Sequence, residues 1–238
     1  MGRVPVPLRG RGSGAVRARG GEAVSAERLA ETPAAGTPRL ERLTAAGLRA
    51  ASWPLGDLLV DTVRGGSSLG FLADLDRSDA SDWWRGLGPA VEADRIAVWV
   101  ARDGDRDASR VTGTVSVAFT DKPNGRHRAE IAKLMVHPDA RGQGLARALL
   151  TAAEHTAVQA GVTLLVLDTE TGSPAETFYR GAGWTEAGTI PDYAADPSGT
   201  LHATTLFYKR LEKRVEEHPG TAARRRTTDA EPQTAAGQ

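Results

Sequence analysis

The 238-residue chain contains no cysteine. That excludes disulfides, a thiolate zinc site and a cysteine nucleophile. It also lacks a charge of either sign in excess, since 30 Lys and Arg face 30 Asp and Glu. Such a balance argues against a globally basic nucleic-acid binder and against attraction to a membrane by charge alone. Long apolar runs are missing too. No stretch reaches the roughly 18 apolar residues of a spanning helix. The first twelve residues carry charge with no apolar run behind it, unlike a secretory signal. Val6 stands where a myristoylation signal after Gly2 would need Ser or Thr. A cytoplasmic protein without nucleic-acid or membrane partners is therefore expected. What is present, 40% hydrophobic and 25% charged residues, suits a soluble globular core.

The chain divides by composition. Residues 1–37 are rich in Gly, Ala, Pro and Arg, with few large apolar side chains. Such a segment cannot bury enough surface to offset its ordering entropy, so it reads as a disordered tail. Residues 214–238, with Arg224, Arg225 and Arg226, read the same way. The folded domain is expected over 38–213. Within it, Leu55, Leu58, Leu59 and Val63 follow helical spacing, and a second helix is expected over 78–92. Two adjacent Trp residues, Trp83 and Trp84, cannot both face one core. Then the period changes to two. Ile96, Val98 and Val100 predict one strand, and Val111, Val115, Val117 and Phe119 a second, joined by a polar turn from Asp103 to Arg110. A third strand is expected from Arg128 to His137. A helix over Gln143 to Ala160 has the inner stripe Ala146, Leu149, Leu150, Ala153 and Ala157. The apolar run from Val162 to Leu167 reads as a strand buried on both faces. Strand, helix and strand make a βαβ unit. A short helix (175–182) and strands near 183–189 and 202–210 complete a mixed α/β sheet, with antiparallel strands on one side of a parallel pair.

Four short patterns could carry chemistry. Gly10, Gly12 and Ala15 spell a dinucleotide fingerprint, but Pro5 and Pro7 replace the strand that must precede it. Asp103, Asp105 and Asp107 open like a calcium loop, yet Ala108 and Thr114 stand where Gly and Glu belong. Gly66, Ser68 and Gly70 spell the nucleophile elbow of serine hydrolases, but a helical pattern precedes it where a strand is required. A flexible loop closing over a ligand is the alternative there. The fourth pattern, Arg141-Gly142-Gln143-Gly144-Leu145-Ala146, sits between a predicted strand and a predicted helix. The first amides of a helix have no intrahelical partner, and the dipole adds positive potential. Two glycines let a phosphate approach the backbone, and Arg141 can add a charge-assisted bond.

The segment from Val136-His137-Pro138 through Arg141-Gly142-Gln143-Gly144-Leu145-Ala146-Arg147 to Leu150 resembles motif A of the GCN5-related N-acetyltransferases, the GNAT superfamily. That motif reads Arg/Gln-x-x-Gly-x-Gly/Ala, matched by Arg141, Gly144 and Ala146. Downstream, the run from Ala175 through Phe178-Tyr179 to Gly183-Trp184 resembles motif B. Ser67-Ser68-Leu69-Gly70-Phe71, Ile190-Pro191-Asp192-Tyr193 and the segment His202 to Lys209 resemble the branch containing tabtoxin resistance protein.

The resemblance implies a GNAT fold: a mixed, mostly antiparallel sheet with a central splayed parallel pair and flanking helices. It implies an acetyl-CoA-dependent N-acetyltransferase acting by direct attack of a small-molecule primary amine, such as an amino acid or an antibiotic, with no metal. Leu134, Met135 and Val136 would present backbone groups to the pantetheine and thioester, near a β-bulge. Gly142, Gln143, Gly144, Leu145, Ala146 and Arg147, with Arg141, would hold the pyrophosphate. Tyr179 would be the general acid, or a core-packing ring. Glu130 would be the base, with Asp168 as a rival or as an amine contact. Ser68, Phe71, Asp192, Tyr193 and the Trp pair would line the acceptor pocket, while His137 would be a bystander. Homodimers are common among such proteins. Two other readings compete: a non-catalytic CoA-binding sensor, and a serine hydrolase using Ser68.

Overall fold

The structure is a computed structural model, and it describes residues 39–103 and 110–212. The two predicted tails, the glycine pattern at 10–15 and most of the Asp-rich turn lie outside the described residues.

The chain runs β1 (Arg39–Arg42), α1 (Ala45–Ala50), α2 (Ser52–Arg64), α3 (Arg77–Gly86), α4 (Gly88–Glu92), β2 (Ile96–Asp103), β3 (Arg110–Phe119), β4 (Arg128–Val136), α5 (Leu145–Gln159), β5 (Leu164–Glu170), α6 (Pro174–Gly181), β6 (Thr185–Ala195) and β7 (Leu201–Arg210). The strands form one sheet in the order β1-β2-β3-β4-β5-β7-β6. Only β4 and β5 are parallel. Antiparallel strands therefore lie on both sides of that pair, not on one side as expected, because β7 returns beside β5 and carries β6 outward.

Alternation distributes the apolar side chains to two cores. Val115, Val117, Ala129, Ile131, Leu165, Leu167 and Phe207 pack with Leu149, Leu150 and Ala153 of α5. Val98, Val100 and Met135 pack with Leu48, Leu55, Leu59 and Trp84 of the first helices. Several expectations shift by a few residues. The helix expected over 78–92 breaks at Leu87, where Pro89 suits the first turn of a new helix. Helix α5 starts at Leu145 rather than Gln143, and Leu145, not Ala146, is buried. β5 is buried at Leu165 and Leu167, but Leu164 and Val166 are only half-buried, so one of its faces is open. Strand β6 extends to Ala195. Pro191 is tolerated there because β6 is an edge strand, and the register breaks between Ile190 and Ala194. Among the described residues, no helix is long and apolar enough to cross a membrane.

Helix α3 matters for the site because it carries both tryptophans. Its N-cap Asp76 accepts the Asp79 amide at 2.8 Å. Trp84 is fully buried and its indole N–H donates to the Leu55 carbonyl at 3.1 Å. Trp83, one residue away, is left half-buried on the other side. Asp76→Ala should cost about 1 kcal/mol. Thermal unfolding should then drop by about 2–4 °C; an unchanged midpoint would mean the cap contributes nothing.

Candidate active site

The parallel pair is short. β4 and β5 are in register only over Arg128–Glu130 against Leu164–Val166. Beyond that, β4 continues to Val136 and β5 to Glu170 without pairing to each other. Met135 and Val136 are therefore paired to β3 on one edge, Leu134 lies in a break of that register, and none of the three pairs with β5 on the other edge. The divergence opens a cleft in mid-sheet.

A bulge shapes its wall. Thr114 pairs with Met135 and Ser116 with Ala132, so Val115 alone opposes Lys133 and Leu134. Lys133 takes the left-handed conformation, with φ 53°. Ala129 and Ile131 point into the α5 core, which turns Glu130 to the opposite face. Strict alternation would bury Lys133 beside Ile131. The extra residue turns it instead toward the first helices, where its ammonium lies 5.3 Å from the Trp83 ring centroid and 5.7 Å from that of Phe71. Those two rings meet edge to face at 5.5 Å. By the same alternation Asp168 leaves the Leu165–Leu167 face and points to the side of Glu130. Its carboxylate accepts from the Thr204 hydroxyl at 3.4 Å.

These three charges perturb one another. Burial, and then the Asp168 charge, raise the Glu130 pKa above its ordinary 4.5, with Lys133 opposing. Asp168 is solvent-exposed, yet partial desolvation raises its pKa against the Thr204 hydrogen bond and the Lys133 charge. Burial lowers the Lys133 pKa, while Asp168 and Glu130 pull it back up.

Tyr179 approaches from α6. That helix is fixed by Ser173, which accepts the Glu176 amide at 3.2 Å, while the Glu176 carboxylate accepts from the Gly172 amide, the Thr205 hydroxyl and Arg180. The Tyr179 ring packs among Phe178, Trp184 and Phe207, and the residue is only 7% exposed. Burial and then the Asp168 charge push its pKa well above 10. The ring thus belongs to the core, as one expectation had it, while the hydroxyl feels the cleft carboxylate.

The glycine turn lies at the end of β4. Gly142 and Gly144 have φ of 75° and 77°, a conformation that side chains rarely take. A Cβ at either would meet open space. Helix α5 has no side-chain cap. Among the described residues, the amides of Gly142, Gln143, Gly144, Leu145, Ala146 and Arg147 donate to nothing. Six free N–H groups converge at a helix N-terminus, which is the donor set a diphosphate requires. The Arg141 side chain folds back to the Val136 carbonyl at 3.2 Å, and Arg147 reaches the Gly181 carbonyl at 2.9 Å.

The remaining expected residues are placed as follows. Phe71 reaches the Lys133 cluster. Ser68 donates to the Ala195 carbonyl at 3.1 Å, and the Ala73 amide donates to the Pro197 carbonyl at 2.9 Å. The loop after α2 is thereby pinned to the β6–β7 hairpin. Ser68 follows a helix and bonds to main chain, which is not an elbow preceded by a strand. Asp192, with φ 48°, and the exposed Tyr193 sit on the irregular segment of β6, which is separated from β5 by β7. His137 lies beside Asp61, Arg110 and Asp139, and His202 beside Asp196 and Glu170. Sequence reasoning missed Lys133. The broken alternation at Ala132-Lys133-Leu134 was the only signal for it.

Residues 69–184, spanning this cleft from the pinned loop to the Gly-Trp turn, match the model of the acetyltransferase (GNAT) family. This region belongs to the GNAT family. The chain is 34% identical over 119 residues to N-acetyltransferase 8B of Rattus norvegicus, a match covering 49% of this chain and 47% of that protein. The chain thus spans about half the length of the curated relatives it matches. Two solved GNAT-like structures share the fold. Ribosomal-protein-alanine N-acetyltransferase from Brucella melitensis superposes with TM-score 0.57 at 24% identity, over 73% of this chain and 99% of that one. The acetyltransferase yncA from Salmonella typhimurium, solved with acetyl-CoA, gives TM-score 0.57 at 17% identity, over 78% and 100%.

Proposed function

We propose that this chain transfers the acetyl group of acetyl-CoA to the primary amine of a small molecule by direct attack. The observation that carries the reading is the row of six unbonded amides at the mouth of the β4–β5 cleft. Those amides and Arg141 hold the diphosphate. The unpaired edge of Leu134 to Val136 receives the pantetheine arm and offers main-chain N–H to the carbonyl oxygen as negative charge develops on it.

Glu130 accepts the proton of the incoming amine, through water, and Asp168 favours the amine's approach by charge. The neutral amine nitrogen then bonds to the carbonyl carbon, the carbon–sulfur bond breaks with its electron pair leaving on sulfur, and the second proton on nitrogen passes to solvent as the amide forms. Tyr179 donates its O–H to that sulfur. Its raised pKa keeps it protonated, so it stabilises the departing thiolate by hydrogen bonding, and solvent completes the protonation. No covalent enzyme intermediate is needed, and a chain without Cys is no obstacle.

Calorimetry with acetyl-CoA and a thiol-release assay across an amine panel test the reading. Binding with turnover supports it. Tight binding without turnover of any amine would favour the sensor alternative.

Glu130→Gln should lower turnover roughly 100-fold and remove the acid limb of the pH–rate profile, which lies above the ordinary carboxylate range. It should also stabilise the protein. A carboxyl whose pKa is raised on folding is neutral in both states below pH 4.5, where it costs nothing. As pH rises, the unfolded chain ionises first and the folded state follows against burial. The Gln variant should therefore melt higher than the parent at pH 7–8 and equally at pH 4. A Tm gain independent of pH would contradict this.

A further inference from the structure

The ammonium of Lys133 is out of place in a cleft whose acceptor arrives as a cation. Glu130 and Asp168 suit an incoming amine, whereas Lys133 repels it. Yet the fold goes to some length to put Lys133 there. The bulge spends one residue of β4 on it and holds a long side chain at φ 53°, where glycine is the usual occupant. Phe71 and Trp83 fix the ammonium with their ring faces. Rings attract the charge but accept no conventional hydrogen bond from its three N–H donors. Among the described residues, no carboxylate forms an ion pair with it and no oxygen accepts from it; Glu130 and Asp168 act only at longer range. A half-buried ammonium without a protein acceptor is satisfied only by water or by a ligand, and a ligand anion that displaces the water gains a charge-assisted bond.

That ligand group must be anionic and must sit beside the reacting amine. Glu130 and Lys133 are three residues apart on one strand and share a face, so their backbones are within about 10 Å. A hydrogen bond of about 2.8 Å at each end, with the short span between an α-amino nitrogen and its carboxylate, covers such a distance. We propose that Lys133 receives the carboxylate of the acceptor, and that the acceptors are α-amino acids. This rests on the acetyl-transfer reading above and narrows it to a zwitterionic amine. Phe71 and Trp83 hold Lys133 in position for that contact.

The test is a thiol-release assay with acetyl-CoA and the proteinogenic α-amino acids, each against its carboxamide and its decarboxylated amine. The parent protein, Lys133→Met and Lys133→Arg are compared, with acetyl-CoA binding followed separately by calorimetry. The parent should favour the best acid over its carboxamide by roughly 100-fold in kcat/KM. Lys133→Met should erase that preference, lowering the acid's kcat/KM roughly 100-fold more than the carboxamide's, the smaller loss shared by both reporting the charge that Lys133 no longer places beside Glu130. Lys133→Arg should restore part of it. A carboxamide or decarboxylated amine that performs as well as the acid overturns the proposal, as does an equal loss for both in Lys133→Met. In those cases donor binding and turnover persist, and the transfer reading stands alone. Absence of acetyl-CoA binding, or binding without turnover of any amine, takes both readings down together.

Discussion

Gly144→Val should weaken acetyl-CoA binding by roughly 1000-fold, about 4 kcal/mol, as read by calorimetry. Two effects sum to that figure. Gly144 is the residue from which α5 starts, at φ 77°. A β-branched residue there is strained by roughly 1–2 kcal/mol, which displaces the turn toward ordinary φ. The displaced turn loses its aim, and each charge-assisted bond from an amide to phosphate is worth about 1.5–3 kcal/mol. A Cβ there would meet no protein atom within 4 Å, so the substitution does not act by a clash at that atom. The side chain stands instead in the space the diphosphate needs. Arg141→Ala is the milder companion, at about tenfold, because the guanidinium is already engaged with the Val136 carbonyl. The melting point of the parent should rise with added acetyl-CoA, and that of Gly144→Val should not. Binding within threefold of the parent would move the donor site elsewhere.

The turn was visible in the sequence because its requirements are local. Two glycines between a strand pattern and a helical stripe need no tertiary information. The same holds for α5, whose stripe predicts the buried Leu149, Leu150, Ala153 and Ala157, and for the alternating β2 and β3. Elements whose existence depends on partners were not visible. β1 is four residues, Arg39–Arg42, with no periodicity, and exists because β2 offers it an edge. The outer half of β6 contains Pro191 and becomes strand only through β7. The break at Leu87 was hidden inside one continuous helical pattern. In the cleft, Glu130 and Asp168 share a face through simple alternation, which sequence can supply. Lys133 joins them only because β3 and β4 pair with one residue to spare, a choice made by the register of two strands. The conflict between adjacent tryptophans was legible, but its resolution was not: Trp84 is buried against α2, and Trp83 turns to Lys133.

Tyr179→Phe should lower kcat by roughly 100-fold while leaving acetyl-CoA affinity unchanged. The expectation follows from where the two parts of the side chain sit. The ring is held by Phe178, Trp184 and Phe207, and Phe keeps all of those contacts. Among the described residues no polar side-chain atom is sealed from solvent without a partner, so the hydroxyl, which bonds to no neighbouring residue, is reached by solvent and its removal leaves no group unsatisfied. The variant should accordingly melt within about 2 °C of the parent. What is lost is one donor for the sulfur, which bears negative charge only as the carbon–sulfur bond breaks. An interaction made in the transition state and not before lowers kcat and kcat/KM together, with binding untouched. The raised pKa adds a second signature. A phenol held protonated by burial should impose no alkaline limb below pH 10, so rate should climb with pH as the acceptor amine loses its proton and then level off. Unchanged kcat in Tyr179→Phe would reduce this residue to a core ring, and the thiolate would need another donor.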